Sequence, residues 1–322
     1  MNKTFWKNKN VLVTGGSGFI GGHLVEALVG SGANVFVVDI NNNPDLYYFK
    51  EGLNKKSVFL NVNVQDSDKV FEAVTKNRIE IVFHLAAQPL VGKAIVNPVE
   101  VFKTNIDGSI NVLETVRANK NVKALVIVSS DKAYGESKIL PYTEDMPLKG
   151  ECPYSVSKSC EDLIANTYFK IYDLPIVITR FANVYGPGDL NLSRIVPGAI
   201  TTMIKNETLE IRSDGKQIRE YLFVKDVVNG LMMLVENIQK TKGHAYNFGS
   251  GKRFSVIELV NKIGEVAKQK INFKILNIAK GEIPEQYLSY EKIKKHINWE
   301  PIHSFESGLK ETLDWYKKVI QK

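Results

Sequence analysis

The sequence predicts an α/β protein: a doubly wound parallel sheet flanked by helices, with a smaller mixed α/β lobe at its C-terminal end. Three observations carry that prediction. Short β-branched runs alternate with longer helical patterns through the first 180 residues, a glycine triplet directly follows the first run, and shorter mixed pieces take over after about residue 183. Such alternation places parallel strands side by side with helices on both faces.

The strands are expected over 11–14, 35–39, 57–61, 81–85, 125–129 and 176–180, each a short run rich in Val, Ile, Leu or Phe. Helical periodicity fills the gaps at 20–29, 66–76, 99–119 and 154–172. Ligands of such sheets bind beyond the carboxyl ends of the strands. Further on, the pattern predicts a helix over 193–205, a strand over 209–212, and helices over 224–237, 255–268 and 305–320. No repeat, low-complexity tract or flexible linker separates the halves. One compact unit is expected, with the later lobe folded over the strand ends to make a cleft.

With 322 residues, 44% of them apolar, the chain is long enough to bury a full core. Its two cysteines, Cys152 and Cys160, suggest neither a disulfide framework nor a metal site, and a reducing cytoplasm is expected. The apolar stretch 11–20 is broken by Gly15, Gly16 and Gly18, so it does not read as a signal-peptide core, and no membrane association is expected. The formal charge of +7 comes from scattered lysines without interleaved aromatics. That argues against a nucleic-acid partner and leaves a phosphate-bearing small molecule.

The segment VLVTGGSGFIGGHL, 11–24, sets Gly15, Gly18 and Gly21 between a strand and the start of a helix. Gly15 permits the tight turn, Gly18 lets backbone approach a pyrophosphate, and Gly21 lets helix pack on strand, with free N–H groups at the helix start facing the phosphates. Asp39 ends the next strand, 18 residues beyond Gly21. A carboxylate there accepts hydrogen bonds from an adenosine ribose and repels a 2′-phosphate, which favours NAD over NADP. The expected division is therefore an NAD-binding domain over 1–182 and a substrate lobe over 183–322.

Two further segments carry chemistry. In PYSVSKSC, 153–160, Tyr154 and Lys158 stand four apart and share a helix face. An ammonium beside a phenol stabilises the phenolate, which can then take a proton from a sugar hydroxyl as hydride leaves the carbon. The segment SSDKAYG, 129–135, follows an apolar strand and presents a hydroxyl, an acid and an amine in succession at Ser130, Asp131 and Lys132.

Taken together, the chain resembles the extended short-chain dehydrogenase/reductases that act on nucleotide sugars, which have a Rossmann domain. The resemblance rests on TGGSGFIGGHL at 14–24, Asp39, HLAAQPLV at 84–91, TNIDGS at 104–109, SSDKAYG, PYSVSK, RFANVYGPGD at 180–189 and RIVPGAI at 194–200. It implies NAD held by Gly15, Gly18, Gly21 and Asp39, with Phe19, Ile20, Leu85, Ala86 and Ala87 lining the cofactor and Asn63 and Val64 near the adenine. It also implies that Asn105 supports the active-site lysine and that Ser130, Tyr154 and Lys158 form the hydroxyl, base and lysine set. Gln88, Asn183, Arg194 and Arg219 are the implied contacts to a nucleotide-diphosphate sugar, Arg219 because a guanidinium binds phosphate bidentately. A homodimer paired through the helices at 99–119 and 154–172 is the implied assembly.

Within that family, members that only epimerise C4 carry a small residue where Asp131 stands. The 4,6-dehydratases carry Thr-Asp-Glu, or Thr-Asp-Lys in the CDP-glucose branch, which Ser130-Asp131-Lys132 resembles with Ser for Thr. The expectation is an NAD-dependent 4,6-dehydratase giving a 4-keto-6-deoxy sugar for surface-polysaccharide synthesis, on a CDP-, GDP- or UDP-linked hexose, N-acetylated sugars included. Tyr154 would act at C4, Asp131 as acid at the C6 hydroxyl and Lys132 as base at C5. Two rivals stay open: a 4-epimerase in which 131–132 is a turn, and a non-catalytic NAD-binding sensor or scaffold.

Overall fold

The structure is a computed structural model that describes residues 2–279 and 283–320. Six strands come from the first half of the chain: β1 (Asn10–Thr14), β2 (Asn34–Asp39), β3 (Val58–Asn61), β4 (Ile81–His84), β5 (Ala124–Val128) and β6 (Ile176–Phe181). The second half supplies β7 (Asn183–Tyr185), β8 (Leu209–Ile211), β9 (Ile218–Phe223), β10 (Ala245–Phe248), β11 (Arg253–Ser255), β12 (Phe273–Ile275) and β13 (Glu285–Gln286). The main sheet is parallel throughout, in the order β10-β6-β5-β4-β1-β2-β3. The doubly wound sheet expected from the sequence is thus the observed one, with its edge strand β10 drawn from the later half.

Central strands of a two-layered wrap are buried on both faces and read as unbroken apolar runs. β5, ALVIV, is buried at every position, and so is β6. The helices on either side declare themselves at their ends. Asp66 caps Ser67–Lys76 by accepting the Lys69 N–H at 3.1 Å, and Ser255 and Glu258 form a reciprocal capping box on Val256–Ala267.

The topology fixes where a ligand can sit. From β1 the chain winds outward through β2 and β3, then crosses back to place β4 on the other side of β1. Strand order therefore reverses beside β1, where Thr14 lies level with Val38 on one flank and His84 on the other. A crevice opens at the carboxyl ends of strands at such a point.

The short strands β7 and β10–β13 escaped the periodicity, and so did two features that shape the site. The single helix expected over 99–119 is built as Pro98–Phe102, a wider π turn at Lys103–Asp107, and Gly108–Ala118. Such wide turns inside a helix cluster at functional sites, and this one carries the buried Asn105. β9, IREYLF, was hidden by its charged start. Its Glu220 is buried and accepts N–H groups from Ser250 (2.7 Å), Gly251 (2.6 Å) and Leu288 (2.9 Å), so one carboxylate ties two separate segments to β9. That lobe holds a four-stranded sheet, β11-β9-β13 with β7 also on β9, and a β8-β12 pair.

Candidate active site

The glycine loop joins β1 to the helix Phe19–Gly30. Gly15 has φ 68°, a left-handed value that side chains avoid, and a Cβ there would stand 2.7 Å from the Ala86 nitrogen. A Cβ on Gly21 would lie 2.1 Å from the Gly15 oxygen, so close packing of helix on loop depends on its absence. A Cβ on Gly18 would meet only that same oxygen, at 3.2 Å, because the space beyond it is open. Gly18 is the N-cap and supplies no side chain to the first N–H groups of the helix, which leaves them to an anion. Asp39 braces the loop: its Oδ2 accepts the Ser17 N–H at 3.1 Å and its Oδ1 that of Asn41 at 3.0 Å. These groups fit the pyrophosphate and ribose of a dinucleotide.

Next to this crevice a cleft of about 570 Å³ lies between sheet and smaller lobe. Ile20, Leu85 and Ala87 line it on the glycine-loop side, and Ser130, Asp131, Lys132, Tyr154 and Lys158 on the other. The five expected catalytic residues therefore face one cavity. Ser130 caps the short 3-10 turn Asp131–Tyr134, accepting the Lys132 N–H at 3.2 Å while its hydroxyl donates to Asp131 Oδ1 at 3.1 Å. The other carboxylate oxygen, Asp131 Oδ2, is buried and has no hydrogen-bond partner, with Lys132 Nζ 3.7 Å away. Gln286, from β13, donates to the Asp131 carbonyl at 3.1 Å and accepts from Lys132 Nζ. Acid and amine are thus held as neighbours without closing into a tight pair.

Tyr154 and Lys158 open the helix Pro153–Tyr172, which starts with a proline at its first position, where no N–H is needed. Burial pushes the Tyr154 phenol above its usual range, and Lys158 and Ser130 pull it back. Burial also works against the Lys158 charge, yet Glu161 and Tyr154 hold its pKa above the ordinary lysine value.

Among the other expected residues, Asn105 is not hydrogen-bonded to Lys158 directly. Its side chain accepts the Gln88 N–H (2.7 Å) and donates to Ser157 Oγ (2.9 Å), whereas Lys158 Nζ donates to the Val128 carbonyl (2.8 Å) and to Glu161 Oε2 (2.6 Å). Glu161 was missed because a glutamate three residues after a helical lysine reads as a solvated pair. Gln88 turns back on its own loop, its Oε1 accepting the Leu90 N–H at 2.7 Å. Val64 is a core residue pressed against Gly108, and Asn63, exposed, accepts the Gln65 N–H. Phe19 rests edge-on against His23.

On the substrate side, Asn183 and Arg194 line the cleft; Arg194 is tied to Asp189 at 3.0 Å. Arg219 is not among the lining residues, since its guanidinium donates to the Ile218 carbonyl at 2.9 Å. Arg212, which directly follows β8, lines the cleft as well. Among the described residues no group of three or more His, Cys, Asp or Glu could hold a metal, and no helix is long and apolar enough to cross a membrane.

A glycine loop at the switch point of a parallel sheet, opening beside a Tyr/Lys pair, defines a dinucleotide-dependent oxidoreductive enzyme of the doubly wound class. The chain belongs to the NAD dependent epimerase/dehydratase family, whose model matches residues 11–249. It is 31% identical over 316 residues to a putative UDP-glucose 4-epimerase of Methanocaldococcus jannaschii, covering 95% of this chain and 98% of that one. Among solved structures it is similar to a UDP-glucose 4-epimerase with UDP-glucose from Thermotoga maritima, with a TM-score of 0.88, 31% identity and coverage of 97% and 99%. It is also similar to a dTDP-glucose 4,6-dehydratase of Bacillus anthracis in complex with NAD, with a TM-score of 0.86, 27% identity and coverage of 97% and 98%. Membership of the extended short-chain dehydrogenase/reductases, with NAD as cofactor, is thereby established.

Proposed function

We propose that this enzyme is an NAD-dependent nucleotide-sugar 4,6-dehydratase, converting an NDP-hexose to its 4-keto-6-deoxy derivative with loss of water. The observation that carries the reading is the Asp131 carboxylate in the cleft wall beside Tyr154 and Lys132, its buried Oδ2 without a hydrogen bond and 3.7 Å from Lys132 Nζ. A turn that merely closed a loop would have no use for a buried carboxylate oxygen that makes no hydrogen bond, an arrangement that costs free energy unless a ligand completes it.

NAD bound at the glycine loop supplies a hydride acceptor for C4 and a hydride donor for C6. Tyr154, with Lys158 beside it, takes the C4 hydroxyl proton, and the ketone so formed makes the C5 proton acidic. Lys132 removes that proton, and Asp131 in its acid form protonates the leaving C6 hydroxyl. Gln286 keeps the two groups from neutralising each other. Arg194, Arg212 and Asn183 are the candidates to receive the diphosphate. The base and sugar are CDP-glucose-like, or a GDP-linked hexose or an N-acetylhexosamine.

The test is incubation with a panel of CDP-, GDP-, UDP- and dTDP-hexoses, with and without added NAD, followed by mass spectrometry. Loss of one water from one of them supports the reading. A new isomer of unchanged mass means 4-epimerisation, the activity named for two of the proteins it is similar to. Assembly as a homodimer is part of the proposal. Val99 on the helix Pro98–Phe102 and Leu163 on Pro153–Tyr172 are 61% and 56% exposed, an apolar face that a second copy would cover, and sedimentation velocity reads it.

A further inference from the structure

Behind the Tyr154/Lys158 pair lies a buried polar chain that the reaction above does not use. Ala86 N–H donates to Thr14 Oγ1 at 3.2 Å, and Thr14 Oγ1 lies 2.7 Å from His84 Nδ1. His84 Nε2 is 3.0 Å from Ser109 Oγ, and the single Ser109 hydroxyl proton is shared between two acceptors, the Asn105 carbonyl at 2.6 Å and Glu161 Oε1 at 3.1 Å. Glu161 Oε2 accepts from Lys158 Nζ at 2.6 Å. Thr14, His84, Ser109 and Glu161 are all buried. With the imidazole proton on Nε2, His84 donates to Ser109, which stands beside the carboxylate at the end of the series. His84 is held neutral, since burial, with Lys158 adding to it, brings its pKa down to about 3.

We propose that Glu161 is a positioning residue of the catalytic pair: it anchors Lys158 from behind and offsets part of the ammonium charge that Tyr154 feels. Two of the three Lys158 N–H groups are committed, to Glu161 and to the Val128 carbonyl, which leaves one for the cleft. An anion on the far side of an ammonium weakens the field with which that ammonium favours a phenolate. The other charged groups around the pair are accounted for. Asp131 and Lys132 come from the turn at 131–134; Asp162, next on the helix, is locked bidentately by Arg180 of β6 at 2.7 and 2.9 Å; and His84 of β4 is neutral. Among the described residues, Glu161 is then the one buried carboxylate in direct contact with Lys158.

The proposal rests on Tyr154 being the proton acceptor at C4, and its test needs no substrate. Tyrosinate absorbance near 295 nm is titrated in the NAD-loaded protein and differenced against the same background carrying Tyr154→Phe, so that only Tyr154 is read. Glu161→Gln keeps shape and an acceptor for Lys158 but removes the charge, and the Tyr154 titration should move down by about one pH unit. Glu161→Asp keeps the charge and draws it back by one methylene, so its shift should be in the same direction and about half as large. Where Glu161→Gln does not fold, Glu161→Asp alone decides. An unmoved Tyr154 titration in the folded variants would reduce Glu161 to a structural ion pair and overturn the proposal. An upward shift, meaning that Lys158 has lost its proton, would overturn it as well. If no sugar nucleotide loses water yet the titration moves as stated, the dehydratase reading fails while the role of Glu161 stands.

Discussion

Replacing Gly21 by alanine tests the cofactor site at its tightest point. The added Cβ would lie 2.1 Å from the Gly15 oxygen and 2.7 Å from the Gly16 Cα, where 3.4 Å is the start of ordinary contact. Relief requires helix and loop to part by about 1.3 Å, the difference between 3.4 and 2.1 Å. The helix cannot simply retreat, because its own Leu24, Val25 and Leu28 are fully buried and Gly22 already lies against Tyr47 and Tyr48. Overpacking of this kind costs about 1–3 kcal/mol, which for a chain of this size lowers Tm by roughly 1.5–4.5 °C. Moving the loop also takes at least one N–H away from the pyrophosphate. A charge-assisted bond worth about 1.5–3 kcal/mol is about 10- to 100-fold in NAD affinity. Gly18→Ala is the contrast, because its Cβ meets one oxygen at 3.2 Å and otherwise enters open space. It should weaken NAD binding with little change in Tm. Calorimetric titration with NAD and thermal melts of both variants check this. A Gly21→Ala protein with wild-type Tm and wild-type NAD affinity would refute the reasoning.

Other outcomes follow from the same geometry. Arg180→Met strands Asp162, now held by two guanidinium bonds in the interior, and should cost about 3–5 kcal/mol in urea unfolding. His23 is buried with a pKa lowered by that burial to about 4, so folding disfavours its charged form. The unfolded chain then binds an extra proton between about pH 6.5 and 4, and stability falls by about 1.4 kcal/mol per unit as pH drops through that window. His23→Asn lacks this proton uptake, so the stability difference between wild type and variant should shrink toward acid, as read by denaturant melts at pH 6 and 4.5. Tyr154→Phe should bind NAD normally and lose turnover by about 10²- to 10⁴-fold.

Much of this was legible because apolar periodicity and glycine spacing are local signals. The run Ala124–Val128 reads as a strand buried on both faces, and the glycine at 21 is demanded by the Gly15 oxygen only six residues before it, whereas Gly15 is demanded by its own left-handed φ and by the distant Ala86. Tyr154 and Lys158 were readable for the same reason, being one helical turn apart. What stayed hidden depends on contacts between distant segments. Glu161 looks like a surface charge until β4 and the helix Gly108–Ala118 bring His84 and Ser109 onto it. Gln286 reaches Asp131 from 155 positions away, and no spacing rule joins them. Arg219 shares its face of β9 with Tyr221, which lines the cleft, and only the turn of its guanidinium back onto the Ile218 carbonyl keeps it from the lining, a side-chain choice that strand alternation does not encode.

The central claim is that Asp131 acts as an acid and does not merely build the turn at 131–134. The most direct measurement is a single-turnover reaction of the sugar nucleotide that proves to be the substrate, with wild type and Asp131→Asn at matched NAD occupancy, following loss of water by mass spectrometry. The account predicts that wild type eliminates water and that Asp131→Asn, with unchanged NAD affinity, does so at least about 100-fold more slowly. A product of unchanged mass with the C6 hydroxyl intact, formed equally fast by both proteins, would contradict it and make the enzyme an epimerase.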